Sequence, residues 1–137
     1  MGDAEEVKYL LDTHVVDWAA LPDPRLSVRA RSIVAEAKPG DLAISDITLT
    51  ELARLLFEKV VVTPYSPEEW LARATGHMMV LPVTREIALR AAFLDWKHRD
   101  PCDRHIIATA AEHKLPLLTI DERMHHLSGV RGLKVSW

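Results

Sequence analysis

Four acidic residues in this 137-residue chain stand where apolar, strand-like runs give way to helices. They are Asp12, Glu51, Asp103 and Asp121, and they are spread over almost the whole sequence. In an open parallel sheet the strand-to-helix turns share one edge, so residues distant in sequence converge there. Four carboxylates in one crevice resist ionising together unless a cation neutralises their charges. The spacing therefore predicts a divalent-metal site.

The acidic residues also indicate which reaction such a site would support. Mg²⁺ and Mn²⁺ suit it, because these hard cations prefer oxygen ligands and keep several waters. Bound metal lowers the pKa of water, and a second ion can stabilise the leaving oxygen of a phosphodiester. Hydrolysis of phosphodiester bonds, without a serine or cysteine nucleophile, is the chemistry that follows most directly.

Each acid also has a purely structural interpretation as part of a helix N-terminus. Asp12 and Asp121 can serve as N-caps, Thr48 with Glu51 matches a capping box, and Asp103 suits the first turn of a helix dipole. Under this alternative the chain is a non-catalytic binding module whose acids are only caps. The two interpretations still place the acids on the same edge of the sheet, so position alone leaves both open.

The order of the predicted elements indicates the fold class. Short apolar strands without polar alternation recur between helices, which is typical of a buried parallel sheet. We expect an α/β protein, a three-layer α/β/α sandwich with a central parallel sheet, forming one domain over residues 1–137 with about 1–6 as a flexible extension. The predicted strands cover 7–11, 42–45, 78–83, 117–120 and 133–135, and the predicted helices cover 13–20, 27–37, 48–58, 66–77, 84–96, 100–113 and a short segment after 121.

Composition excludes several classes of protein. The 17 basic and 20 acidic side chains give a net charge of −3, so there is no global basic field for nucleic acid. One cysteine, Cys102, excludes an internal disulfide and a thiolate zinc site. No apolar run approaches the roughly 18 residues of a membrane helix, and the acidic start lacks the features of a secretory signal. We therefore expect a cytoplasmic protein that does not enter a membrane.

Other polar residues near the acids give weaker signals. No H-x-x-x-H pair is present, so the histidines near the predicted site are interpreted as surface or packing residues. Cys102 is expected to be a small buried hydrophobe. Three arginines flank the acids and could hold phosphates or simply lie on the surface. These histidines are His14, His98, His105 and His113, and the arginines are Arg99, Arg104 and Arg123.

One segment carries more apolar residues than a single buried helix face needs. It runs from Leu49 to Val62 and ends in three consecutive valines. An exposed remainder would favour binding of a partner segment or of a second copy of the chain. Tight packing in the core is the alternative.

Several motifs together resemble the PIN-domain family, and within it the VapC-type toxins of toxin–antitoxin pairs. They are Leu10-Leu-Asp-Thr-His, Thr50-Glu-Leu-Ala, the stretch from His98 to Ala110, and Leu118-Thr-Ile-Asp, in the order and spacing of that family. The resemblance implies a Mg²⁺- or Mn²⁺-dependent endoribonuclease on a parallel-sheet fold, acting on RNA and held inactive by a cognate antitoxin. A homodimer is expected as well.

The same resemblance assigns roles to individual residues. It carries the catalytic and metal-binding roles to Asp12, Glu51, Asp103 and Asp121, and it implies that Thr119 orients a carboxylate or a water. The chain departs from the family pattern at Cys102, where a bulky aromatic residue is frequent, and at His105, where an apolar residue is usual. The choice of RNA over DNA as substrate rests on the resemblance alone.

Overall fold

The computed structural model describes residues 6–21 and 23–137, and it contains a parallel sheet between helices. Five strands lie in the order β3-β2-β1-β4-β5, and all four pairings are parallel. In chain order the elements are β1 (Tyr9–Leu11), α1 (Thr13–Ala20), α2 (Val28–Glu36), β2 (Leu42–Ser45), α3 (Asp46–Phe57), α4 (Pro67–Thr75), β3 (Met79–Leu81), α5 (Arg85–Ala92), α6 (Pro101–His113), β4 (Pro116–Leu118), α7 (Glu122–His125) and β5 (Lys134–Ser136).

The three central strands are buried on both faces, which explains why their sequences lack polar alternation. Successive side chains of a strand point to opposite faces, and neighbours in these strands accordingly enter different hydrophobic clusters. Leu10 and Leu117 belong to one cluster, whereas Leu11 and Leu118 belong to the other. All four are fully buried. The predicted three-layer α/β/α sandwich with a central parallel sheet is confirmed.

Helix α3 begins two residues earlier than the sequence pattern predicts. Ser45 is its N-cap and accepts a hydrogen bond from the Ile47 backbone N–H at 3.3 Å. The predicted capping box of Thr48 and Glu51 is therefore wrong. Thr48 lies inside the helix and is fully buried, where its hydroxyl lies 3.3 Å from that of Thr13.

Helix α5 ends at Ala92, four residues before the predicted end at residue 96. Burial of Arg104 gives the physical reason, because its guanidinium requires carbonyl acceptors that a continued helix would use internally. These acceptors are the carbonyl oxygens of Ala91, Ala92, Leu94, Trp96 and His98, at 2.5–3.4 Å.

Arg104 is thus a structural side chain, only 9% exposed. A buried guanidinium needs many acceptors, and here backbone oxygens supply them. The hypothesis that Arg104 holds a phosphate is therefore wrong. Its role is to fix the loop 93–100 against the first turn of α6, which is where the predicted site begins.

Two further expectations concern the ends of the chain and membranes. The predicted flexible extension, about residues 1–6, lies outside the described residues except for Glu6, and the single-domain interpretation stays a prediction. Among the helices of the described ranges, none has the length and apolar character that crossing a membrane requires.

Candidate active site

The predicted site lies at the carboxyl ends of the central strands. Asp12 directly follows β1, which is the middle strand of the sheet, and α3 follows β2 on one side. Asp121 follows β4 on the other side. After β3 the chain crosses to the opposite side of β1, so the strand order reverses between β1 and β4. Such a reversal opens a crevice at the carboxyl ends of the strands.

Asp12 is the most buried of the four predicted acids, with 6% of the residue exposed. Its Oδ1 accepts a hydrogen bond from the Thr13 backbone N–H at 2.8 Å, and its Oδ2 accepts one from the Thr119 hydroxyl at 2.6 Å. Burial, followed by the nearby negative charge of Asp103, raises the pKa of Asp12 to about 6, although both hydrogen bonds oppose the rise. Ionised Asp12 is therefore stabilised by any cation placed beside it.

Thr119 connects two of the predicted acids. While its hydroxyl donates to Asp12, the same oxygen accepts a hydrogen bond from the Asp121 backbone N–H at 3.0 Å. The residue is fully buried. The role expected for Thr119, orienting a carboxylate, agrees with this geometry.

Asp103 lies in the first turn of α6, as predicted, and its Oδ2 makes two polar contacts. His98 Nε2 lies at 2.6 Å and Arg123 at 3.6 Å. The pKa of Asp103 is nevertheless raised, first by burial and then by the neighbouring charges of Asp100 and Glu51, although the hydrogen bond from His98 opposes the rise. Negative groups from α3 and α6 therefore meet at this point.

Asp121 differs electrostatically from the two central acids. It is the N-cap of α7, and both of its carboxylate oxygens accept hydrogen bonds from the Arg123 guanidinium, at 2.7 and 3.1 Å. These hydrogen bonds lower the pKa of Asp121 below its ordinary value. Arg123 thus bridges Asp121 and Asp103, which places one of the three predicted arginines at the site.

Glu51 projects from α3 towards the N-terminus of α6. One oxygen of Glu51, one of Asp100 and the Cys102 sulfur all lie within 4.8 Å of one another. Burial and these carboxylates raise the pKa of the Cys102 thiol to about 11, so it stays protonated at neutral pH. The expectation that Cys102 is a small buried hydrophobe is wrong, because the side chain is half-buried among acids.

Two residues of the site were not predicted to belong to it. Asp100 was expected to be the N-cap of α6, which it is, since it accepts from the Cys102 N–H at 2.9 Å. It also lies within 4.8 Å of ligand atoms of Asp103 and His98. His98, interpreted as a surface or packing residue, does pack against Trp96, but its Nε2 also lies 2.6 Å from Asp103 Oδ2, which places it at the site. The Asp-Pro-x-Asp spacing, with two acids on one helix turn, was the available signal for Asp100.

The remaining histidines fit their predicted structural roles. His14 stacks on Trp18 with ring centroids 5.8 Å apart, and His105 Nδ1 lies 2.6 Å from the Pro101 carbonyl oxygen. His113 lies in the last turn of α6.

The donor set fits a hard divalent cation. The charge of Asp103 contributes to the raised pKa of Asp12, and the charge of Glu51 contributes in the same way to the raised pKa of Asp103. Asp121 joins this group through Thr119 and Arg123. Carboxylate oxygens are the preferred ligands of Mg²⁺ and Mn²⁺, and mutual repulsion of this kind is relieved by such an ion.

Comparison with known proteins agrees with this geometry. The sequence profile of the PIN domain matches residues 9–130. The chain is 34% identical over 116 residues to ribonuclease VapC22 of Mycobacterium tuberculosis, covering 84% of this chain and 88% of that protein.

Solved structures share the fold. A toxin–antitoxin complex from Klebsiella pneumoniae matches with a TM-score of 0.66 at 23% identity, over 92% of this chain and 95% of the other. VapBC2 from Rickettsia felis, bound to a DNA fragment from its promoter, matches with a TM-score of 0.69 at 15% identity, over 95% and 98%. The chain belongs to the PIN-domain family and is a VapC-type member of it.

Proposed function

We propose that this chain is a Mg²⁺- or Mn²⁺-dependent endoribonuclease, the toxin of a toxin–antitoxin pair, with Asp12, Glu51, Asp103 and Asp121 as its catalytic and metal-binding residues. The observation that carries the proposal is the clustering of ionisable acids around Asp103 at the switch point of the sheet. The name of the relative VapC22, a ribonuclease, supports RNA as the substrate. The single cysteine agrees with a site of action in the cytoplasm.

The four acids divide into two functional groups. Asp12, Asp103 and Glu51 are the candidates for direct metal ligands. Their negative charges repel one another in a partly desolvated site, and a bound cation would relieve this repulsion. Asp121 is already neutralised by Arg123, so it holds that guanidinium in place and enters the metal shell through water or after Arg123 moves. The bound cation would supply a water of lowered pKa and stabilise charge on the leaving oxygen.

Arg123 is suited to a scissile phosphate. Its side chain is 55% exposed although it contacts Asp103 at 3.6 Å, so it lies between solvent and the acids. Arginine binds phosphate through paired N–H donors. A phosphodiester that enters the crevice would therefore meet a positive group before it meets the carboxylates.

An apolar surface supports the proposed antitoxin partner. Phe57, Val60 and Val62 are 87%, 61% and 83% exposed, so part of the apolar segment from Leu49 to Val62 lies outside the core. Val60 and Val62 line a groove of about 560 Å³ whose walls also include Trp18 and Trp70 and none of the four acids. Exposed apolar area of this kind is typical of a protein-binding surface. The match to a toxin–antitoxin complex supports an antitoxin as a partner, and we assign this surface to it from its exposed apolar residues. A homodimer stays part of the proposal.

Cleavage assays with acid-to-amide variants test the proposed reaction. Purified protein is incubated with a panel of structured RNAs in Mn²⁺, in Mg²⁺ and in EDTA. We expect cleavage by the wild type with metal only, and none by Asp12→Asn or Asp103→Asn. Equal cleavage by the wild type and both variants would reject the site.

A matched control separates loss of chemistry from loss of a buried acid. Asp41 is 5% exposed, close to the 6% of Asp12, but it precedes β2 and so lies at the opposite edge of the sheet. The variant Asp41→Asn should keep the cleavage activity. A non-catalytic module, the alternative interpretation, would show neither metal-dependent cleavage nor stabilisation by Mn²⁺.

Hydrogen exchange tests the partner surface. Binding of the antitoxin should slow exchange in residues 49–62, because bound protein would cover these exposed side chains. Unchanged exchange in a complex that has formed would place the antitoxin elsewhere.

A further inference from the structure

His98 is held in one orientation by groups that the proposed reaction does not otherwise use. Its carbonyl oxygen accepts a hydrogen bond from Arg104 at 2.8 Å, and the carbonyl oxygen of Trp96, two residues earlier, accepts one from the same guanidinium at 3.0 Å. The indole of Trp96 contacts the imidazole edge-on, with ring centroids 4.9 Å apart. Backbone and ring are therefore both fixed before any ligand arrives.

The hydrogen-bond partners of the ring determine which nitrogen carries the proton. Arg123 lies 2.9 Å from His98 Nδ1. A guanidinium can only donate, so Nδ1 must accept with its lone pair. The hydrogen of the neutral ring is then on Nε2, which donates to Asp103 Oδ2 at 2.6 Å.

This tautomer leaves neither ring nitrogen free to bind a metal. The proximity of His98 to Asp100 and Asp103 alone would also suit a three-ligand metal site. However, the Nδ1 lone pair faces Arg123 and Nε2 carries a hydrogen, so the ring is a donor to a ligand and not itself a ligand.

The two carboxylate oxygens of Asp103 differ in their contacts. His98 Nε2 lies at hydrogen-bond distance from Oδ2, and Arg123 forms an ion pair with the same oxygen at 3.6 Å. In the described part of the chain, Oδ1 accepts no hydrogen bond. Ligating carboxylates are commonly oriented by such an outer hydrogen bond, which holds one oxygen and presents the other.

We propose that His98 is a positioning residue of the nuclease site, whose Nε2–H holds Asp103 Oδ2 and leaves Oδ1 available to bind a cation. The proposal rests on the proposed function, since it assigns Asp103 as a ligand. It adds a residue outside the four acids and gives it a defined tautomer.

The first test uses the metal-free protein and needs no activity. Imidazole ¹⁵N correlation spectra of the wild type should show His98 as the Nε2–H tautomer, assigned by loss of its signals in His98→Gln. A proton on Nδ1, or rapid exchange between the tautomers, would overturn the proposal.

The second test asks whether the ring binds metal. Electron spin-echo modulation of the Mn²⁺-loaded wild type should show no directly coordinated imidazole nitrogen. A ¹⁴N coupling that disappears in His98→Gln would make His98 a ligand, which contradicts the proposed role.

Kinetics then test whether the hydrogen bond matters to the reaction. His98→Phe keeps a ring against Trp96 but removes the donor, and we expect kcat to fall by about 10–100-fold with a smaller change in KM for RNA. His98→Gln places an amide N–H near the position of Nε2 and should restore most of kcat. His126→Gln, whose parent histidine is 79% exposed in its side chain, is the control and should behave as wild type.

The outcomes separate this proposal from the function on which it rests. Unchanged kcat in His98→Phe, or equal loss in the Phe and Gln variants with both folded, would overturn the role of His98 while Asp103→Asn still abolishes cleavage. Absence of RNA cleavage by the metal-loaded wild type would overturn the proposed function, and the role of His98 in it, whatever tautomer the spectra show.

Discussion

Replacing Asp12 by asparagine should stabilise the metal-free protein at neutral pH although it abolishes cleavage. Burial is the main cause that raises the pKa of Asp12 from 3.8 to about 6. The protonated form is therefore favoured by folding, so this group's contribution to stability is present below pH 3.8 and is lost as the pH rises through about 6. A difference of about two pH units, at about 1.4 kcal/mol each, makes the ionised group unfavourable by about 3 kcal/mol above pH 6.

Urea denaturation at several pH values measures this cost. The unfolding free energies of the wild type and Asp12→Asn are compared between pH 4 and pH 8 in EDTA, and the variant's advantage should grow by up to about 3 kcal/mol with rising pH. Asparagine cannot ionise, and its amide can still accept from the Thr13 N–H and reach the Thr119 hydroxyl. A difference between the two proteins that stays constant across this range would refute the reasoning.

Asp121 provides a control of opposite sign. Hydrogen bonds from Arg123 lower its pKa, so the ionised carboxylate stabilises the fold above the ordinary pKa, and this contribution is lost as the pH falls. Relative to wild type, Asp121→Asn should therefore become less stable as the pH rises, whereas Asp12→Asn becomes more stable. The same trend in both variants would point to a general effect of removing an acid.

Three further outcomes follow from the site and its supports. Mn²⁺ at about 100 times its Kd should raise the unfolding free energy of the wild type by about 2.7 kcal/mol, with a smaller rise for Asp103→Asn in a denaturation assay, and equal rises would argue against Asp103 as a ligand. Thr119→Val removes the donor to Asp12 and the acceptor of the Asp121 N–H. It should lower stability in urea by about 1–3 kcal/mol, and no loss would show that this buried connection is dispensable. Arg104→Met should cost about 3 kcal/mol or more and speed hydrogen exchange in residues 93–100, and unaltered exchange there would contradict its structural role.

The sequence predicted the location of the acids because that location follows from element order. Apolar runs such as residues 42–44 indicate strands buried on both faces, and parallel strands must place their following turns on one edge. The positions of Asp12 and Asp121 could therefore be assigned without coordinates. The same spacing predicted Glu51 and Asp103 as members of the site, and the family resemblance added the catalytic and metal-binding roles of all four acids. The spacing was wrong about the element before Asp103, since α6 follows helix α5 and not a strand.

The errors in the bounds of α3 and α5 share a cause, since each involves a side chain that competes with local helix signals. The Thr48 to Glu51 spacing matches a capping box, yet Ser45 caps the helix and Thr48 is buried against Thr13. Likewise, the end of α5 is determined by Arg104, which lies twelve residues after it. The hydrophobic periodicity of the helix itself does not reveal this contact. Local pattern cannot reveal a competing partner that only tertiary contact supplies.

The amino-acid order alone determined the α/β class, the parallel sheet and the edge on which the acids gather. Hydrophobic periodicity, burial of strands and chain direction are local or topological properties, so they can be inferred without coordinates. Only the tertiary structure distinguished the acids from one another. Asp12 is buried and resists ionisation, whereas Asp121 is neutralised by Arg123, and His98 donates to Asp103. These differences arise from desolvation and from hydrogen bonds across the fold, and such interactions depend on distances in space that sequence spacing does not contain.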